Sequence, residues 1–517
     1  MNWPWSIAGT GAVLALVAPI AHAQPALIQR VEVRGSTVFP EKVWERVTAP
    51  FIGQLATEEI LQQLVAALNQ VYAEKGFVTS RVELQAFTDG VLIAEAIEPR
   101  LEAIEIEGLR GTRPSYVRSR LELANPVGGV LNPVALDDAL RLLANDPVFE
   151  EVRGSLGPGS TPNQSILQVR VKEARRVGGS FEFNNYSPPG VGSERYEVTL
   201  LGRSLTGQGD ILSLLRAGTL RGGSETMGLS YRIPVNPQQG MVSVRYNRSE
   251  YRIIQEPFDV FNFRGVSELV EASYRQPLFR NPREEFALSW TYTFQQGQTF
   301  IFNNLGTPFG IGPDEKGRTT THVLRFGQDY LRRDRQGVWV FNSVFNVGIA
   351  GTQITEPDAH FFSWTAQGQR LQVITPNVFL LGILEWQLAA DPLLGSQQFS
   401  IGGGQSVRGY RQSVRSADNG LRLSLETRFT PVRETKTGRP VLQLASFVDV
   451  GKVWNNPNNP NPLPDRKWIA GIGGGVIWEP VQDFVIRLDG AGPFVKLQDR
   501  GDNLQERAFY FSVGYRF

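Results

Sequence analysis

The sequence of 517 residues contains no cysteine, only three histidines and almost no net charge. The absence of cysteine excludes disulfide scaffolds, thiolate zinc sites and cysteine catalysis. The 52 basic and 51 acidic residues leave a net charge of +1, which argues against a basic surface for nucleic acid. His22, His322 and His360 do not have the spacing of metal ligands. We therefore expect no nucleic acid partner, no metal site and no cofactor.

Motifs for nucleotide binding and hydrolysis are missing as well. The chain contains no G-x-x-x-x-G-K-[ST] phosphate loop and no G-x-S-x-G nucleophile elbow. The glycine-rich stretch 471–475 is not followed by a helical pattern, so it predicts a strand with small side chains. The sequence therefore predicts a protein that is not an enzyme.

Long apolar runs are lacking beyond the N-terminal end. No run after residue 23 reaches the roughly 18 apolar residues of a spanning helix, and the mean hydropathy is −0.19. Residues 7–20 are apolar apart from small residues, and Ala21-His22-Ala23 follows as an A-x-A cleavage pattern. We expect residues 1–23 to be a secretory signal peptide, although residues 1–5 lack the usual basic side chain.

What the chain does contain begins with two similar segments, each with the order β-α-α-β-β. In residues 24–99, Thr57 is placed to cap an amphipathic helix, Gly76 to end it, and 77–84 and 91–97 alternate as strands. Residues 100–175 repeat the order, with Asn132-Pro133 as a helix start. The pattern predicts two small α+β modules.

The junction Tyr72-Ala73-Glu74-Lys75-Gly76-Phe77 and the repeated order resemble polypeptide-transport-associated (POTRA) domains. The resemblance implies that residues 24–99 are POTRA 1 and residues 100–175 are POTRA 2. Such a module can accept an extended chain at an exposed strand edge. We expect docking at the strand after Gly76 and its neighbouring helix, and a purely structural role is the alternative. The expected docking residues are Tyr72, Gly76, Phe77 and Val78.

Residues 176–517 lose the helical period and show alternation broken by turns. We count sixteen strands, with short turns and mostly longer loops in alternation, which is typical of a transmembrane antiparallel β-barrel. An outward set of side chains on the last strand resembles the signal that the outer-membrane assembly machinery reads. The alternative is an aromatic girdle against outer-membrane lipid. The set is Phe509, Phe511, Val513, Tyr515 and Phe517.

Two motifs stand in the second half of this region. The long loop 396–419 contains three consecutive glycines followed by Val407-Arg408-Gly409-Tyr410, and it resembles the lumen-folding sixth loop of outer-membrane polypeptide transporters. Phe447-x-Asp449-x-Gly451 alternates with Val448 and Val450, so we expect Phe447, Asp449 and Gly451 to face the lumen.

By resemblance, Asp449 pairs with Arg408, and a merely solvated lumen carboxylate is the alternative. The loop precedes strand twelve and the aspartate lies on strand thirteen, an order that favours the pair. We expect a wet lumen, where the Coulomb gain of such a pair is modest, about 1 kcal/mol at 4 Å in bulk water and several times that if the pair is partly shielded. We also expect this one contact to be a large share of what fixes the loop.

From residue 24 onward the chain resembles the transporter component of two-partner secretion (TpsB type, the hemolysin and filamentous-adhesin secretion family) of the POTRA–barrel superfamily. The resemblance implies an outer-membrane barrel with periplasmic POTRA domains, which exports a large unfolded partner of adhesin or hemolysin type. The plug helix common in that family is not expected, because residues 24–27 lead directly into the first module.

Two alternatives remain at this point. An assembly insertase of the same superfamily fits less well, because such proteins usually carry three or more POTRA domains. A diffusion porin fits least, because porins lack these modules. The sequence does not name the exported partner.

Overall fold

A computed structural model of the protein describes residues 26–302, 304–310, 312–352, 357–463, 467–499 and 501–517. The expected signal peptide, residues 1–23, lies outside the described residues. Within the described part, no helix is long and apolar enough to cross a membrane. Contacts divide the described residues into one unit within 26–105, 125–137 and 155–168 and a second within 106–124, 138–154 and 169–517.

The first module forms around one amphipathic helix. Its elements are β1 (Arg30–Arg34), α1 (Glu41–Thr48), α2 (Glu58–Glu74), β2 (Arg81–Thr88) and β3 (Val91–Ile97), with sheet order β1-β3-β2. The side-chain oxygen of Thr57 accepts a hydrogen bond from the Ile60 amide and caps α2, as its sequence predicts. Leu64 and Leu68 of α2 lie fully buried against Leu92 of β3, so the helix covers one face of the sheet.

The strand predicted over residues 77–84 begins later than expected. Gly76 has a φ of 88° and ends α2, and the Phe77 amide turns back to donate to the Tyr72 carbonyl at 2.9 Å. The Ser80 amide then donates to the Phe77 carbonyl at 3.0 Å, so residues 77–80 form a turn and β2 starts at Arg81. The alternating pattern correctly predicted a strand, but the hydrogen bonds of the turn delay the start of that strand.

The second module repeats the element order. It consists of β4 (Arg100–Glu107), α3 (Pro114–Ala124), α4 (Pro133–Ala144), β5 (Phe149–Pro158) and β6 (Gln164–Glu173), with sheet order β4-β6-β5. The Asn132 Oδ1 accepts from the Ala135 amide at 3.0 Å, and Pro133 occupies the first helical position, where no amide hydrogen is needed.

The rest of the chain closes into a barrel of sixteen antiparallel strands, with one two-residue strand and one short hairpin added in its loops. The strand that follows the second module pairs with the last strand, which completes the ring. The strands are β7 (Val177–Asn184), β8 (Arg195–Arg203), β9 (Ile211–Thr219), β10 (Ser224–Pro234), β11 (Met241–Arg252), β12 (Arg264–Arg280), β13 (Glu284–Ile301), β14 (Leu305–Gly306), β15 (Arg318–Asp334), β16 (Gly337–Gly351), β17 (Phe361–Thr375), β18 (Val378–Ala389), β19 (Phe399–Ile401), β20 (Arg415–Ala417), β21 (Asn419–Arg433), β22 (Pro440–Trp454), β23 (Trp468–Trp478), β24 (Phe484–Pro493) and β25 (Phe509–Arg516). Short 3-10 helices cover Ala49–Phe51, Pro189–Val191, Phe258–Phe261 and Gly395–Gln397.

The two faces of the barrel wall follow the predicted alternation. On β22, Val448 and Val450 are exposed on the outside, whereas Phe447, Asp449 and Gly451 are buried on the inside. Residues paired directly across an antiparallel ladder point to the same face. The lumen face can therefore be followed, strand by strand, from Asp449 around the ring.

The long loop between β18 and β21 is more regular than expected. Within it, β19 and β20 pair as a hairpin, with Ser400 opposite Ser416. The glycines come after β19, where Gly402 and Gly403 have φ values of 109° and 103° that other residues rarely adopt. The segment that carries Arg408 is thus held between two paired strands.

Candidate functional site in the barrel lumen

Arg408 and Asp449 meet inside the barrel. The Arg408 Nε lies 2.7 Å from Asp449 Oδ2, and its Nη2 lies 2.9 Å from Oδ1. The Arg408 backbone amide also donates to Asp449 Oδ2, at 3.1 Å. The carboxylate thus receives both arms of a planar fork, a geometry that lysine cannot reproduce.

The expectation of a wet lumen around this pair is wrong. Arg408 is only 4% exposed and Asp449 is 0% exposed. The guanidinium carbon of Arg408 lies 3.3 Å from the centre of the Phe447 ring, a cation–π contact that covers one face of the cation. The pair is therefore enclosed by side chains of the loop and of the wall, and water screens it little.

Further charges surround the pair and complete a neutral group. The Glu426 carboxylate accepts from Arg408 at 2.6 Å, from Arg428 at 2.6 Å and from Arg487 at 2.8 Å. The Arg487 Nε also donates to Asp489 at 2.7 Å. Three cations and three anions balance, as buried charges require. We call this group the lumen cluster: Arg408, Glu426, Arg428, Asp449, Arg487 and Asp489.

Sequence reasoning missed the other four members of the lumen cluster. Glu426 and Arg487 are 61 positions apart and lie on β21 and β24, which are not adjacent strands. Their contact depends on the curvature and register of the closed barrel. The available signal was that charged residues occupy inward-facing positions on both strands.

The remaining motif residues seat the loop beside the lumen cluster. Val407 is fully buried, and a side-chain carbon on Gly451 would lie 3.0 Å from it, so the glycine leaves room for this valine. Gly409 has a φ of 108°, and its amide donates to the Tyr510 hydroxyl at 2.8 Å. The Tyr410 hydroxyl donates to the Ala470 carbonyl at 2.8 Å. The loop is thereby tied to β22, β23 and β25.

Glycines on the inner face of β23 allow these close approaches. A side-chain carbon on Gly473 would lie 2.6 Å from the ring of Phe447. One on Gly471 would overlap the carbonyl oxygen of Arg408, and one on Gly475 would overlap the Asp489 carboxylate. The inner face of β23, which the sequence predicted to carry small side chains, is therefore the surface against which the loop and the Phe447 ring pack.

A second set of ion pairs holds the loop nearer the extracellular loops. Arg411 donates to Asp499 at 2.7 Å and to Glu506 at 2.8 Å, and Arg415 donates to the same Asp499 at 3.0 Å. Hydrogen bonds from Arg415, and then from Arg411, hold the pKa of the Asp499 carboxyl below its ordinary value. We call Arg411, Arg415, Asp499 and Glu506 the outer cluster. The loop is thus anchored at two levels, by the lumen cluster and by the outer cluster.

The docking residues expected in the first module are mostly inaccessible. Tyr72 is fully buried, with its hydroxyl 2.6 Å from Glu98, and burial followed by this hydrogen bond raises the pKa of Tyr72. Gly76 is also buried, and Phe77 packs against the core. Only Val78 is exposed, at 57%, and it lies in the turn before β2. Phe77 and Val78 therefore do not lie on a strand edge, because β2 starts later than predicted.

The last strand presents its aromatic side chains outward. Phe509, Tyr515 and Phe517 are exposed, and Phe511 and Val513 are half-buried. Tyr510 faces inward and is fully buried against the loop. Sequence reasoning missed Tyr510 as a site residue. The available signal was an aromatic side chain at an inward-facing position of the last strand. The reading of the outward set by assembly machinery stays a prediction.

Comparisons with known proteins agree with this architecture. The profile of the haemolysin secretion/activation protein family ShlB/FhaC/HecB matches residues 163–477, and that of the ShlB-type POTRA domain matches residues 26–98. An outer membrane transporter CdiB of Dickeya dadantii (strain 3937) is 23% identical over 468 residues, covering 87% of this chain and 79% of that protein. The hemolysin transporter protein ShlB of Serratia marcescens is 23% identical over 430 residues, covering 78% and 72%.

Among solved structures, CdiB from Escherichia coli superposes with a TM-score of 0.79 at 18% identity, covering 97% of this chain and 92% of that one. This likeness shows a shared fold. The match to residues 163–477 is decisive for the family, because it spans more than half of the 517 residues. The chain therefore belongs to the haemolysin secretion/activation protein family ShlB/FhaC/HecB and is an outer-membrane transporter with a periplasmic POTRA domain.

Proposed function

We propose that this transporter recognises a large unfolded partner polypeptide in the periplasm and exports it through the barrel to the cell surface. The observation that carries the proposal is a loop seated within a closed barrel by polar contacts. The barrel wall does not depend on these contacts, because it is held by its own backbone ladder. A partner of adhesin or hemolysin type is the expected cargo.

Recognition of the partner is assigned to the two modules, and we propose residues 100–175 as a second POTRA domain. In the first module, β3 is the central strand, which leaves β1 and β2 as the sheet edges. An edge strand offers unpaired amides and carbonyls that an extended chain can join. We propose the edge of β2 (Arg81–Thr88), with Val78 beside it, in place of the docking set predicted from sequence.

Arg408 and Asp449 are proposed to fix the loop in its seated position, with Val407, Gly409, Tyr410, Phe447 and Gly451 shaping that seat. The outward side chains of the barrel contact outer-membrane lipid, and the last strand is the proposed target of assembly machinery. The proposal includes no catalytic step.

The test is deletion of the gene for this protein in its own bacterium. The polypeptides at the cell surface are then compared between the deletion strain and the wild type. One large polypeptide should disappear from the surface and return when the intact chain is supplied. Complementation with Arg408→Ala should restore the barrel but not that polypeptide. A general fall of many outer-membrane proteins would instead indicate an insertase, and an unchanged surface would contradict export.

A further inference from the structure

The lumen wall differs between the side that holds the loop and the side opposite. On β21 and β22 the inward residues Ser424, Glu426, Phe447 and Asp449 are buried beneath the loop. From Asp449 the ladder leads through β25 and β7 to Ala217 on β9, which pairs with Thr226 on β10. The inward residues Thr226 and Ser230 of β10, Ser243 and Ser249 of β11, and Ser267 and Ser273 of β12 are half-buried, so this side of the lumen is more open than the side beneath the loop.

The open side carries a row of hydroxyl groups, with Arg232, Arg245 and Asn247 between them. Thr226 and Ser249 pair across β10 and β11 with their oxygens 3.0 Å apart, and Ser243 and Ser273 pair across β11 and β12 at 2.6 Å. Ser267 pairs with Ser249 along the next ladder. We call this surface the hydroxyl wall: Thr226, Ser230, Ser243, Ser249, Ser267 and Ser273.

Two charge pairs lie near the hydroxyl wall, and Arg232 on β10 adds a further cation. Arg195 on β8 lies 2.6 Å from Glu197, and Arg245 on β11 lies 3.9 Å from Glu271 on β12. A chain of either charge would therefore meet no strong net field at these pairs. Short hydroxyls can donate to and accept from any peptide group, and they offer little apolar surface on which a side chain would stick.

A cavity of about 410 Å³ lies where this wall meets the seated loop. The loop contributes Gln412 and Ser413, and the strands contribute Thr219, Thr226 and Tyr251. The loop therefore does not fill the lumen up to the strands on this side. The cavity is bounded by polar groups from both.

We propose that the exported polypeptide passes in an extended form between the hydroxyl wall and the seated loop, while the lumen cluster remains intact. The proposal rests on the proposed function of export. The cargo it fits is a chain with its peptide groups free for hydrogen bonding and without folded domains. Passage on this side leaves the buried ion pairs unbroken, whereas passage on the other side would separate them.

The absence of native cysteine allows single-cysteine variants to report on each face. Ser230→Cys and Ser249→Cys place a thiol on the hydroxyl wall. Leu229→Cys is the matched control on the outer face of the same strand, and Ala445→Cys is an inward position buried on β22. With a hydrophilic maleimide added to intact cells, the wall positions should label at least tenfold faster than either control. Equal or slower labelling of the wall would overturn the open path.

Cross-linking then tests the path of the chain. The probe is the polypeptide that disappears from the surface on deletion, given one cysteine and a stably folded C-terminal domain that stalls it. Under oxidation it should form disulfides with Ser230→Cys and Ser249→Cys and not with Leu229→Cys or Ala445→Cys. Disulfides at Ala445→Cys alone would overturn the inference while leaving export intact. If no polypeptide is lost on deletion, the proposed function fails, and the labelling result still decides whether the path is open.

Discussion

The two ionic clusters that hold the loop use the same chemistry at different depths. In the lumen cluster, the side chains of Arg408 and Asp449 are 5% and 0% exposed. In the outer cluster, those of Arg411 and Asp499 are 26% and 46% exposed, whereas those of Arg415 and Glu506 are 4% and 7% exposed. An exposed pair contributes little, because water solvates either charge when the other is removed. Water cannot solvate a buried charge in this way when its partner is removed. The Arg408–Asp449 pair should therefore contribute more than the Arg411–Asp499 pair to holding the loop.

Removing either member of the inner pair should have the largest effect. Arg408→Ala or Asp449→Ala leaves the opposite charge buried without its bidentate partner, at a cost of about 3–5 kcal/mol. Because the backbone ladder is untouched, we expect normal barrel abundance by heat-modifiable gel migration. Delivery of the exported polypeptide to the surface, measured by antibody on intact cells, should fall at least tenfold.

A double variant tests whether these residues act as one unit. Arg408→Ala combined with Asp449→Ala should be little worse than either single change, because the second change removes a charge that has already lost its bidentate partner. Losses that add in full would show that the two residues work separately. The gel shift again serves as the control for folding.

Arg408→Lys should have the next largest effect. Lysine keeps the charge but lacks the planar fork, so it cannot reach both Asp449 oxygens and Glu426 together. We expect delivery between that of the wild type and Arg408→Ala. Full delivery by the lysine variant would mean that charge alone holds the loop.

Tyr510→Phe should have a smaller effect on delivery than Arg408→Lys. The hydroxyl accepts from the Gly409 amide at 2.8 Å and donates to the Tyr410 carbonyl at 2.7 Å, all in a buried position. Its loss leaves two backbone groups unpaired, at a cost of about 1–3 kcal/mol. We expect a several-fold fall in delivery and faster hydrogen exchange across residues 402–415. Tyr515→Phe, on the outward face of the same strand, is the control and should change neither.

Asp499→Asn should have the smallest effect at neutral pH, less than twofold on delivery. Because the pKa of Asp499 is lowered in the folded protein, its contribution is present above the ordinary value of about 4 and is lost as the pH falls through the lowered one. Hydrogen exchange of residues 402–415 should thus differ between wild type and variant at pH 7 and converge in acid. A large neutral-pH defect would contradict the depth comparison.

Sequence patterns predicted the barrel because alternation accumulates over sixteen strands, and one misread strand changes little. They also located Arg408 and Asp449, through motifs whose order was informative. They could not reveal Glu426, Arg487 or Tyr510, because those contacts depend on which strands meet across a closed ring. The docking set failed for a local reason, since the hydrogen bonds after Gly76 form a turn that alternation does not show.

The glycines on the inner face of β23 have a consequence for how this protein can change over evolutionary time. At Gly471, Gly473 and Gly475 even a methyl group would collide with the loop backbone, a ring or a carboxylate. Most exposed positions tolerate many residues, but these three should tolerate none. In a saturation mutagenesis library selected for export, the strand with the smallest side chains should therefore be the least variable stretch of the wall.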